Sequence, residues 1–416
     1  MADAAAGGED TWVDIPAGRC LMRYASENER EADIRHGKIE TMPNMGEADT
    51  LQNDGISVEK SFLRFGTMGE AKHVHENLSK LEGDSFLKSC LIISHQRYYW
   101  LAVDRFDCSL KRYCDEHPQR WNKSQVLLDP NDEVVIRYQL KPTYQQIVRD
   151  IITGIYQLHS QKYWHGDLSI RDILIVNHRA KFAFLRGDRV DPKNKKRDRG
   201  GSPDKRGEDF EKLRTVFMEV LRNGIANGGQ NMPDAELNHF HNNAAQEINN
   251  WQSLAKLFFH PLLMTPMERF HLPVTMRTIV RYPNSGYQWR ERHPRKWTGW
   301  ITNVRGDYTV ILSDNRNNAC RCARSCSCTP SHSCTPSCSC TCLCSKYKVE
   351  YEDNDWDQFT FVRNTIVHIN GPNRTQKTEK KVEQELSVML PSSFTNVYDL
   401  FNVKALASTS VQIFEE

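Results

Sequence analysis

Two short stretches of this 416-residue chain combine side chains that are suited to catalysis. In the first, His165-Gly166-Asp167 is followed by a second carboxylate, Asp172, and then by an apolar run. In the second, Arg363-Asn364 is followed by His368. A carboxylate can accept a proton or hold Mg²⁺, an imidazole can donate a proton near neutral pH, and a guanidinium can neutralise a phosphate. The two stretches therefore indicate acid–base or phosphate chemistry, depending on the elements that position them.

The first stretch resembles the catalytic loop of protein kinases, H-x-D-L-x-x-x-[ND], with the catalytic base at Asp167. Gly166, Ser169 and Asp172 stand where that family has an arginine, a phosphate-binding lysine and a magnesium-binding asparagine. The resemblance implies a degenerate bilobal kinase fold. Asp167 is then a remnant of the catalytic site, and Asp172 can still bind a metal.

The same resemblance assigns the lysine of the nucleotide site to Lys60 and its glutamate partner to Glu76, in a helix downstream. The alternative is a lysine and a glutamate on two solvated faces. The glycines upstream of Lys60 are too far apart for a phosphate-covering loop, and Phe184 stands where D-F-G has its Mg²⁺-binding aspartate. We therefore expect ATP and Mg²⁺ binding to be weak or absent.

The spacing of apolar residues predicts the elements around these sites. Residues 98–106 alternate like a strand that runs into a hinge. Residues 144–158 have the apolar stripe of a core-facing helix. Helical periodicity returns at 208–221, where Asp209 stands at the position of a buried kinase aspartate that hydrogen-bonds the catalytic-loop backbone.

Two later stretches make the resemblance more specific. Residues 257–270, L-F-F-H-P-L-L-M-T-P-M-E-R-F, resemble the junction between a kinase-like lobe and a helical ribonuclease domain called KEN. That junction occurs in the kinase/endoribonuclease stress sensors of the unfolded-protein response and in 2-5A-dependent ribonuclease. Residues 357–368 keep the R-N-x-x-x-H hallmark of that domain, and 385–401 resemble its closing L-P-x-x-F segment. The resemblance covers residues 56–410.

The resemblance implies a metal-independent endoribonuclease that needs no cofactor, with RNA as substrate and a homodimer as the active form. His368 would be the acid, Arg363 would hold the scissile phosphate, Asn364 would position the RNA, and Tyr351 is the candidate for the family's upstream tyrosine. On a straight helix Arg363 and His368 lie about 140° apart, so we predict that the helix ends or bends between Asn364 and His368. Gly371-Pro372 beyond this point favours such an end.

The stretch between the junction and the hallmark departs from the family. Leu272-Pro273-Val274 is predicted to break the helix expected after Arg269. The aromatic and basic residues of 282–301 suit a tryptophan-anchored surface, with RNA stacking as the alternative. Residues 299–312 alternate like a β-hairpin and, with 347–353, fit a small Tudor-like barrel that competes with KEN helices for 282–356.

Nine of the 13 cysteines crowd into residues 320–344, which excludes a disulfide framework spread through the fold. Their C-x-C pairs suit a zinc or copper(I) thiolate cluster. The repeated Ser-Cys and Cys-Thr-Pro units fit a low-complexity expansion somewhat better. The candidate metal ligands are Cys320, Cys322, Cys326, Cys328, Cys334, Cys338, Cys340, Cys342 and Cys344.

A net charge of +2 provides no global attraction to nucleic acid, so any attraction to RNA must come from local patches. No apolar run reaches the length of a membrane span, and the first ten residues lack the features of a signal peptide. We therefore expect a soluble protein of the cytoplasm or nucleus.

The predicted fold class is α+β. Residues 1–52 are expected to be poorly ordered, 53–272 to form a pseudokinase domain, and 273–416 to form a mainly helical KEN-like domain with a Cys-rich insertion at 315–346. The first functional hypothesis is a soluble pseudokinase coupled to an endoribonuclease. The alternatives are a non-catalytic scaffold that binds RNA or protein partners, and a serine/threonine kinase with residual activity.

Overall fold

The chain divides into two compact units in the computed structural model. Unit 1 comprises Met1–Arg120, Thr143–Gln230 and Asn243–Phe258, and unit 2 comprises Trp121–Pro142, Asn231–Asn242 and Phe259–Glu416. Unit 2 therefore includes residues 121–142 and 231–242, which lie well before the predicted domain boundary at residue 273. The structure describes residues 12–17, 20–25, 34–41, 57–95, 97–128, 134–190, 205–222, 235–246, 251–281, 299–314, 355–370 and 376–400.

A six-stranded antiparallel sheet with the order β1-β2-β3-β4-β6-β5 dominates the first part of unit 1. Helix α1, Met68–Lys80, connects β4 to β5 and contacts β4, β5 and β6. Thr67 caps the helix, because its side chain accepts a hydrogen bond from the Glu70 amide at 3.2 Å. The strands are β1 Trp12–Ala17, β2 Cys20–Ala25, β3 Ile34–Thr41, β4 Ser57–Phe65, β5 Ser89–His95 and β6 Tyr98–Asp104.

Most of residues 1–52 was expected to be poorly ordered, and three strands form in the parts of this stretch that the structure describes. Strand β3 pairs with β4 from Ile34↔Leu63 to Glu40↔Ser57. Ile34 and Ile39 are buried. Each of these strands pairs with the next strand along the chain, β1 with β2, β2 with β3 and β3 with β4.

The second part of unit 1 is mainly helical. The predicted strand 98–106 and helix 144–158 are confirmed as β6 and α3, and Ile147, Ile151 and Ile155 are fully buried. Gly154 lets α3 approach β11, because a Cβ there would lie 2.2 Å from the Phe182 ring. The elements are β7 Cys108–Ser109, α2 Leu110–Glu116, α3 Pro142–Ser160, β10 Ile173–Val176, β11 Arg179–Phe182, α4 Arg206–Arg222 and α6 Trp251–Phe258, with β11-β10-β7 forming one sheet.

Unit 2 packs helices around one core, which includes Trp300, Tyr308, Phe361, Leu386 and Phe394. Strands β8 and β9 form a separate antiparallel pair. Helix α5, Ala235–Gln246, lies in unit 2 up to Asn242. The other elements are β8 Trp121–Val126, β9 Val135–Leu140, the 3-10 turns Pro261–Leu263 and Ile301–Asn303, α7 Pro266–Arg281, α8 Tyr308–Asp314, α9 Asp355–His368, α10 Glu379–Met389 and α11 Ser393–Leu400.

Two predictions for unit 2 are wrong. Residues 299–312 form a 3-10 turn and α8 instead of a hairpin. Their buried residues, Trp300, Val304, Tyr308 and Ile311, recur at helical intervals, which places them on one side against the core. The Tudor-like alternative thereby loses its first hairpin, and 347–353 lie outside the described residues.

Helix α7 continues through Pro273, although a break was predicted there. A proline inside a helix costs about 3 kcal/mol, because it removes a backbone donor and crowds the preceding turn. Phe270, Leu272 and Met276 are buried around it, and α7 contacts α9, α10 and α11. We infer that this packing offsets the cost. In the described parts of the chain, none of the helices is long and apolar enough to cross a membrane.

Candidate functional site

The loop that precedes β10 holds the predicted catalytic residues of unit 1. The loop passes through Gly166 and Asp167 with φ angles of +71° and +84°. A Cβ on Gly166 would lie 2.5 Å from the Gly187 backbone nitrogen, and Gly187 itself donates a hydrogen bond to the His165 carbonyl at 2.8 Å. The close approach of these two backbones, together with the positive φ angle, favours glycine at position 166.

Asp209 binds the backbone of this loop, as predicted. Its carboxylate accepts hydrogen bonds from the amides of His165 at 2.7 Å and Gly166 at 3.3 Å, and it also lies 2.9 Å from His159 Nε2. His165 is fully buried with its ring against Phe182, and burial lowers its pKa. A neutral imidazole enclosed in this way is a structural residue.

Asp167 and Asp172, the two carboxylates of the loop, have different surroundings. The Asp167 side chain is 75% exposed and lies 3.5 Å from Lys212 Nζ. Asp172 is buried, accepts a hydrogen bond from the Ser169 hydroxyl, and forms an ion pair with Arg186 at 2.9 Å. The metal ligand predicted at Asp172 is therefore neutralised by a guanidinium.

Arg186 joins Asp172 to helix α1. Its Nε lies 3.1 Å from Glu70 Oε1, while Nη1 binds Asp172. Burial alone would lower the pKa of Arg186, but the two carboxylates outweigh burial and raise it. The side chain is therefore a permanent cation, and we call Glu70, Asp172 and Arg186 the Arg186 cluster.

One face of α1 holds the backbone on both sides of Arg186. Asn77, which is 5% exposed, donates hydrogen bonds to the carbonyls of Leu185 at 2.9 Å and Gly187 at 2.8 Å. His73 Nε2 lies 3.2 Å from the Arg186 carbonyl. The sequence analysis missed these contacts. The sequence feature that could have predicted these contacts is the helical spacing of three polar residues, Glu70, His73 and Asn77.

The predicted pair of Lys60 and Glu76 is not formed. Lys60 Nζ lies 2.9 Å from Asp104, and the half-exposed Glu76 lies 3.9 Å from Lys80. Side chains alternate along a strand, so Lys60 shares a face of β4 with residues 62 and 64. Residues 61, 63 and 65 form the other face, where the Phe65 ring lies 5.9 Å from that of Phe184, next to the segment that α1 binds. Lys60 therefore points away from α1.

A second cluster occupies the face of β4 opposite Lys60, near the end of β6. His36 Nδ1 lies 2.9 Å from Ser61 Oγ, which also accepts a hydrogen bond from the Phe106 amide at 3.2 Å. The imidazole and the Phe106 ring are edge-on at 5.1 Å. Burial, with the nearby cations Arg105 and Arg112, lowers the pKa of His36 to about 4. The imidazole is therefore neutral at physiological pH.

A cavity of about 750 Å³ lies beside the Arg186 cluster within unit 1. This volume is in the range of small-molecule sites. Its charged lining is largely paired, since Lys111 lies 2.6 Å from Asp115 and Arg112 lies 2.8 Å from Glu116. Arg171 lies in the same lining. The cavity is therefore lined by both cations and carboxylates.

The candidate ribonuclease residues of unit 2 lie on α9. This helix runs unbroken to His368, so the prediction of an end or bend after Asn364 is wrong. Ile369 is buried and donates a backbone hydrogen bond to Thr365 at 2.8 Å, which extends the last turn into the core. Arg363 is half-buried and donates to Asn364 Oδ1 at 2.8 Å, whereas His368 is exposed. In one chain Arg363 and His368 therefore do not share a helix face.

Asn370, which follows α9, is bound to the backbone of Lys377. The Asn370 side chain donates to the Lys377 carbonyl at 2.9 Å and accepts from the Lys377 amide at 2.8 Å. Lys377 Nζ is buried between Glu385 at 2.9 Å and Asp307 at 3.1 Å. The sequence analysis did not identify this clamp, because its partners are far apart along the chain.

Several predicted residues lie outside the described residues. They include Tyr351, the aromatic and basic stretch 282–298, and all nine cysteines of 320–344. Among the side chains that are described, no group of three or more His, Cys, Asp or Glu could hold a metal ion. The sequence matches no model of a known protein family, and no curated protein matches it.

Proposed function

We propose that this protein is a pseudokinase coupled to a metal-independent endoribonuclease, acting as a homodimer on RNA in the cytoplasm or nucleus. The observation that carries the pseudokinase part is the Arg186 cluster. Phosphoryl transfer in kinases depends on Mg²⁺ ions held by two acidic or amide side chains at this position of the fold. Here Arg186 supplies a fixed positive charge to Asp172, and Phe184 replaces the second ligand.

The face of β4 next to α1 gives further support. Ser61, Leu63 and Phe65 lie on this face, and Ser61 is bound to His36 and Phe106. A nucleotide would need a cation on this side of β4 to meet its phosphates. Lys60, the residue predicted for this role, lies on the other face of β4, where it pairs with Asp104.

Phosphotransfer is tested by incubating the full chain with ATP carrying a labelled γ-phosphate, in the presence of Mg²⁺ and a generic protein substrate. We expect incorporation no higher than in Asp167→Asn, which removes the catalytic-base remnant from an exposed position without disturbing the core. Incorporation in the parent that Asp167→Asn abolishes would contradict the pseudokinase proposal.

The ribonuclease part rests on the resemblance of residues 357–368 and on the exposure of His368. The imidazole lies in the last turn of α9, and an imidazole can donate a proton near neutral pH, as an acid catalyst requires. Arg363 is on another side of the helix, so we propose that a second chain completes the phosphate site. Cleavage should then rise with protein concentration, need no Mg²⁺ and leave 2′,3′-cyclic phosphate ends.

The test compares cleavage of unstructured RNA by the parent, His368→Ala and Arg363→Ala in the presence of a chelator. His271→Ala is the matched control, since His271 is another exposed histidine of unit 2. We expect the first two variants to lose cleavage and the control to keep it. Full cleavage in both active-site variants would contradict the assignment.

A non-catalytic scaffold is the second candidate, and the unbroken helix α9 favours it, because Arg363 and His368 do not converge within one chain. In this case the parent binds RNA or protein partners without cleaving RNA at any concentration. The absence of cleavage by a demonstrably dimeric parent would therefore replace the ribonuclease proposal with the scaffold.

A further inference from the structure

The chain that follows α9 is tied to a buried lysine of unit 2, and we call this arrangement the Lys377 clamp. It consists of Asn370, Lys377, Glu385 and Asp307. The Asn370 side chain donates a hydrogen bond to the Lys377 carbonyl at 2.9 Å and accepts one from the Lys377 amide at 2.8 Å. The Gln376 side chain adds a hydrogen bond to the Asn370 carbonyl at 3.3 Å. Three hydrogen bonds therefore join the end of α9 to the residues that precede α10.

Lys377 is fixed in turn by its own side chain, which is 7% exposed. Its Nζ lies 2.9 Å from Glu385 Oε2 and 3.1 Å from Asp307 Oδ2. It also lies 4.7 Å from the centroid of the Tyr308 ring, within the range of a cation–π contact. An ammonium group that is buried between two carboxylates and an aromatic ring has little freedom to move.

Tyr308 holds the Glu385 carboxylate in place. Its hydroxyl donates a hydrogen bond to Glu385 Oε2, and both side chains are buried. Burial, together with the Glu385 carboxylate, raises the pKa of Tyr308, so the hydroxyl keeps its proton and remains a donor. Tyr308 belongs to α8 and Glu385 to α10. The clamp is therefore anchored in two helices of unit 2.

The clamp begins two residues after His368. Between them lies Ile369, which is 1% exposed and whose amide donates a hydrogen bond to the Thr365 carbonyl at 2.8 Å. Helix ends commonly fray, because their last carbonyls have no partner within the helix. Here a buried side chain and the clamp follow the last turn directly. The exposed His368 is therefore carried on backbone that is fixed on both sides.

Acid catalysis by an imidazole needs such a restraint. The donor must lie within hydrogen-bond distance of the leaving oxygen, and a displacement of about 1 Å can cost about 100-fold in rate. The clamp restrains the backbone that carries the imidazole, and none of its members needs to touch the RNA for this effect.

We infer that Asn370 and Lys377 are positioning residues of the ribonuclease site, which hold the chain after α9 so that the His368 imidazole meets the leaving oxygen of the RNA. This inference rests on the proposed function. Loss of the clamp should slow the chemical step and leave RNA binding little changed, because Asn370 acts through the backbone.

Steady-state cleavage of unstructured RNA by the full chain tests the positioning role. We expect Asn370→Ala to lower kcat about tenfold or more and to change KM less than about threefold, because it removes both hydrogen bonds to Lys377. Asn370→Asp has nearly the same shape but lacks the donor, so it should show an intermediate loss. Asn303→Ala is the matched control, since Asn303 is an exposed asparagine in another turn of unit 2.

The Lys377 side chain is tested separately. Lys377→Met removes the cation from between the two carboxylates and should lower kcat, whereas Lys377→Arg keeps a cation there and should have a higher kcat than Lys377→Met. Equal kcat values of the parent, Asn370→Ala and Lys377→Met would overturn the positioning role. So would a loss in Asn370→Ala that appears in KM alone.

Hydrogen exchange of the Ile369 amide separates the clamp from the proposed function, because it does not depend on activity. Exchange should be about tenfold faster in Asn370→Ala than in the parent or Asn303→Ala, since the last turn of α9 opens more readily. Equal exchange in the parent and Asn370→Ala would overturn the clamp even if the parent cleaves RNA. Faster exchange in Asn370→Ala with a parent that does not cleave would overturn the proposed function, and the positioning role with it.

Discussion

At the level of single residues, unit 1 is distinguished by the Arg186 guanidinium, which is paired with Asp172, and by the His36 imidazole, which is bound to Ser61. Asp209 could be predicted from the sequence, because it lies in the first turn of a helix that follows a recognisable loop. The partners of Arg186 could not, because Glu70 is 116 positions away and no local pattern links the two. Lys60 was misassigned because its position relative to α1 depends on which face of β4 it occupies, and a one-residue shift reverses that face.

Protonation of His36 should destabilise unit 1 in acid. Its pKa is about 4 in the folded protein, below the ordinary value of 6.5, so its contribution to stability is fully present above pH 6.5 and is lost as pH falls towards 4. Between about pH 7.5 and pH 5 the free energy of unfolding should fall by roughly 2 kcal/mol through this residue. Urea unfolding of the parent and His36→Gln measures this, and an equal loss in both would contradict it.

Gly166→Ala should destabilise the loop by roughly 1–3 kcal/mol, because the residue has φ +71° and a Cβ would collide with the Gly187 backbone. Gly69→Ala is the matched control. Gly69 lies in the first turn of α1 with open space around its Cβ position, and alanine is the better helix former. The melting temperature should fall below that of the parent in Gly166→Ala and rise above it in Gly69→Ala. Equal melting temperatures of the two variants would refute the collision.

At the level of elements, prediction succeeded where one element carries its own signal. Helix α3 has an apolar stripe that favours a helix, and β6 is a run of aromatic and apolar residues that is buried at its centre. Strands β1 to β3 are short, and helix α8 depends on core partners elsewhere in the chain, so their sequences are ambiguous alone. Pro273 lies inside α7 because packing against other helices offsets its cost, and this packing cannot be read from the local sequence. The extension of α9 to His368 likewise depends on tertiary contacts.

A buried ion-pair network joins α5, α7, α10 and β9, and it should be sensitive to the loss of one charge. Burial alone would raise the pKa of Glu383, but Arg269 and Arg137 hold it below its usual range. Glu383→Gln should therefore cost about 3–5 kcal/mol, because two guanidinium groups lose a buried partner. Asp115→Asn, in the exposed pair with Lys111, is the control and should cost less than about 1 kcal/mol. Urea unfolding measures both, and similar losses would show that the network contributes little.

At the level of the whole molecule, the two interpretations of the cysteine-rich stretch can be distinguished by deleting it. If 320–344 is a low-complexity expansion, its deletion should leave the melting temperature of the chain unchanged. A structural metal cluster would instead contribute to folding, so deletion or a chelator would lower the melting temperature by several degrees. Differential scanning calorimetry of the parent, with and without chelator, and of the deletion variant distinguishes the two.

We propose that a fixed cation, Arg186, stands in unit 1 where a kinase would hold its metal ions. Calorimetric titration of the full chain with ATP, in the presence of Mg²⁺ and then of a chelator, tests it most directly. Since Arg186 already neutralises Asp172, we predict that Mg²⁺ does not increase the affinity for ATP. Saturable ATP binding that strengthens about tenfold or more with Mg²⁺, and that Asp172→Asn abolishes, would contradict the claim.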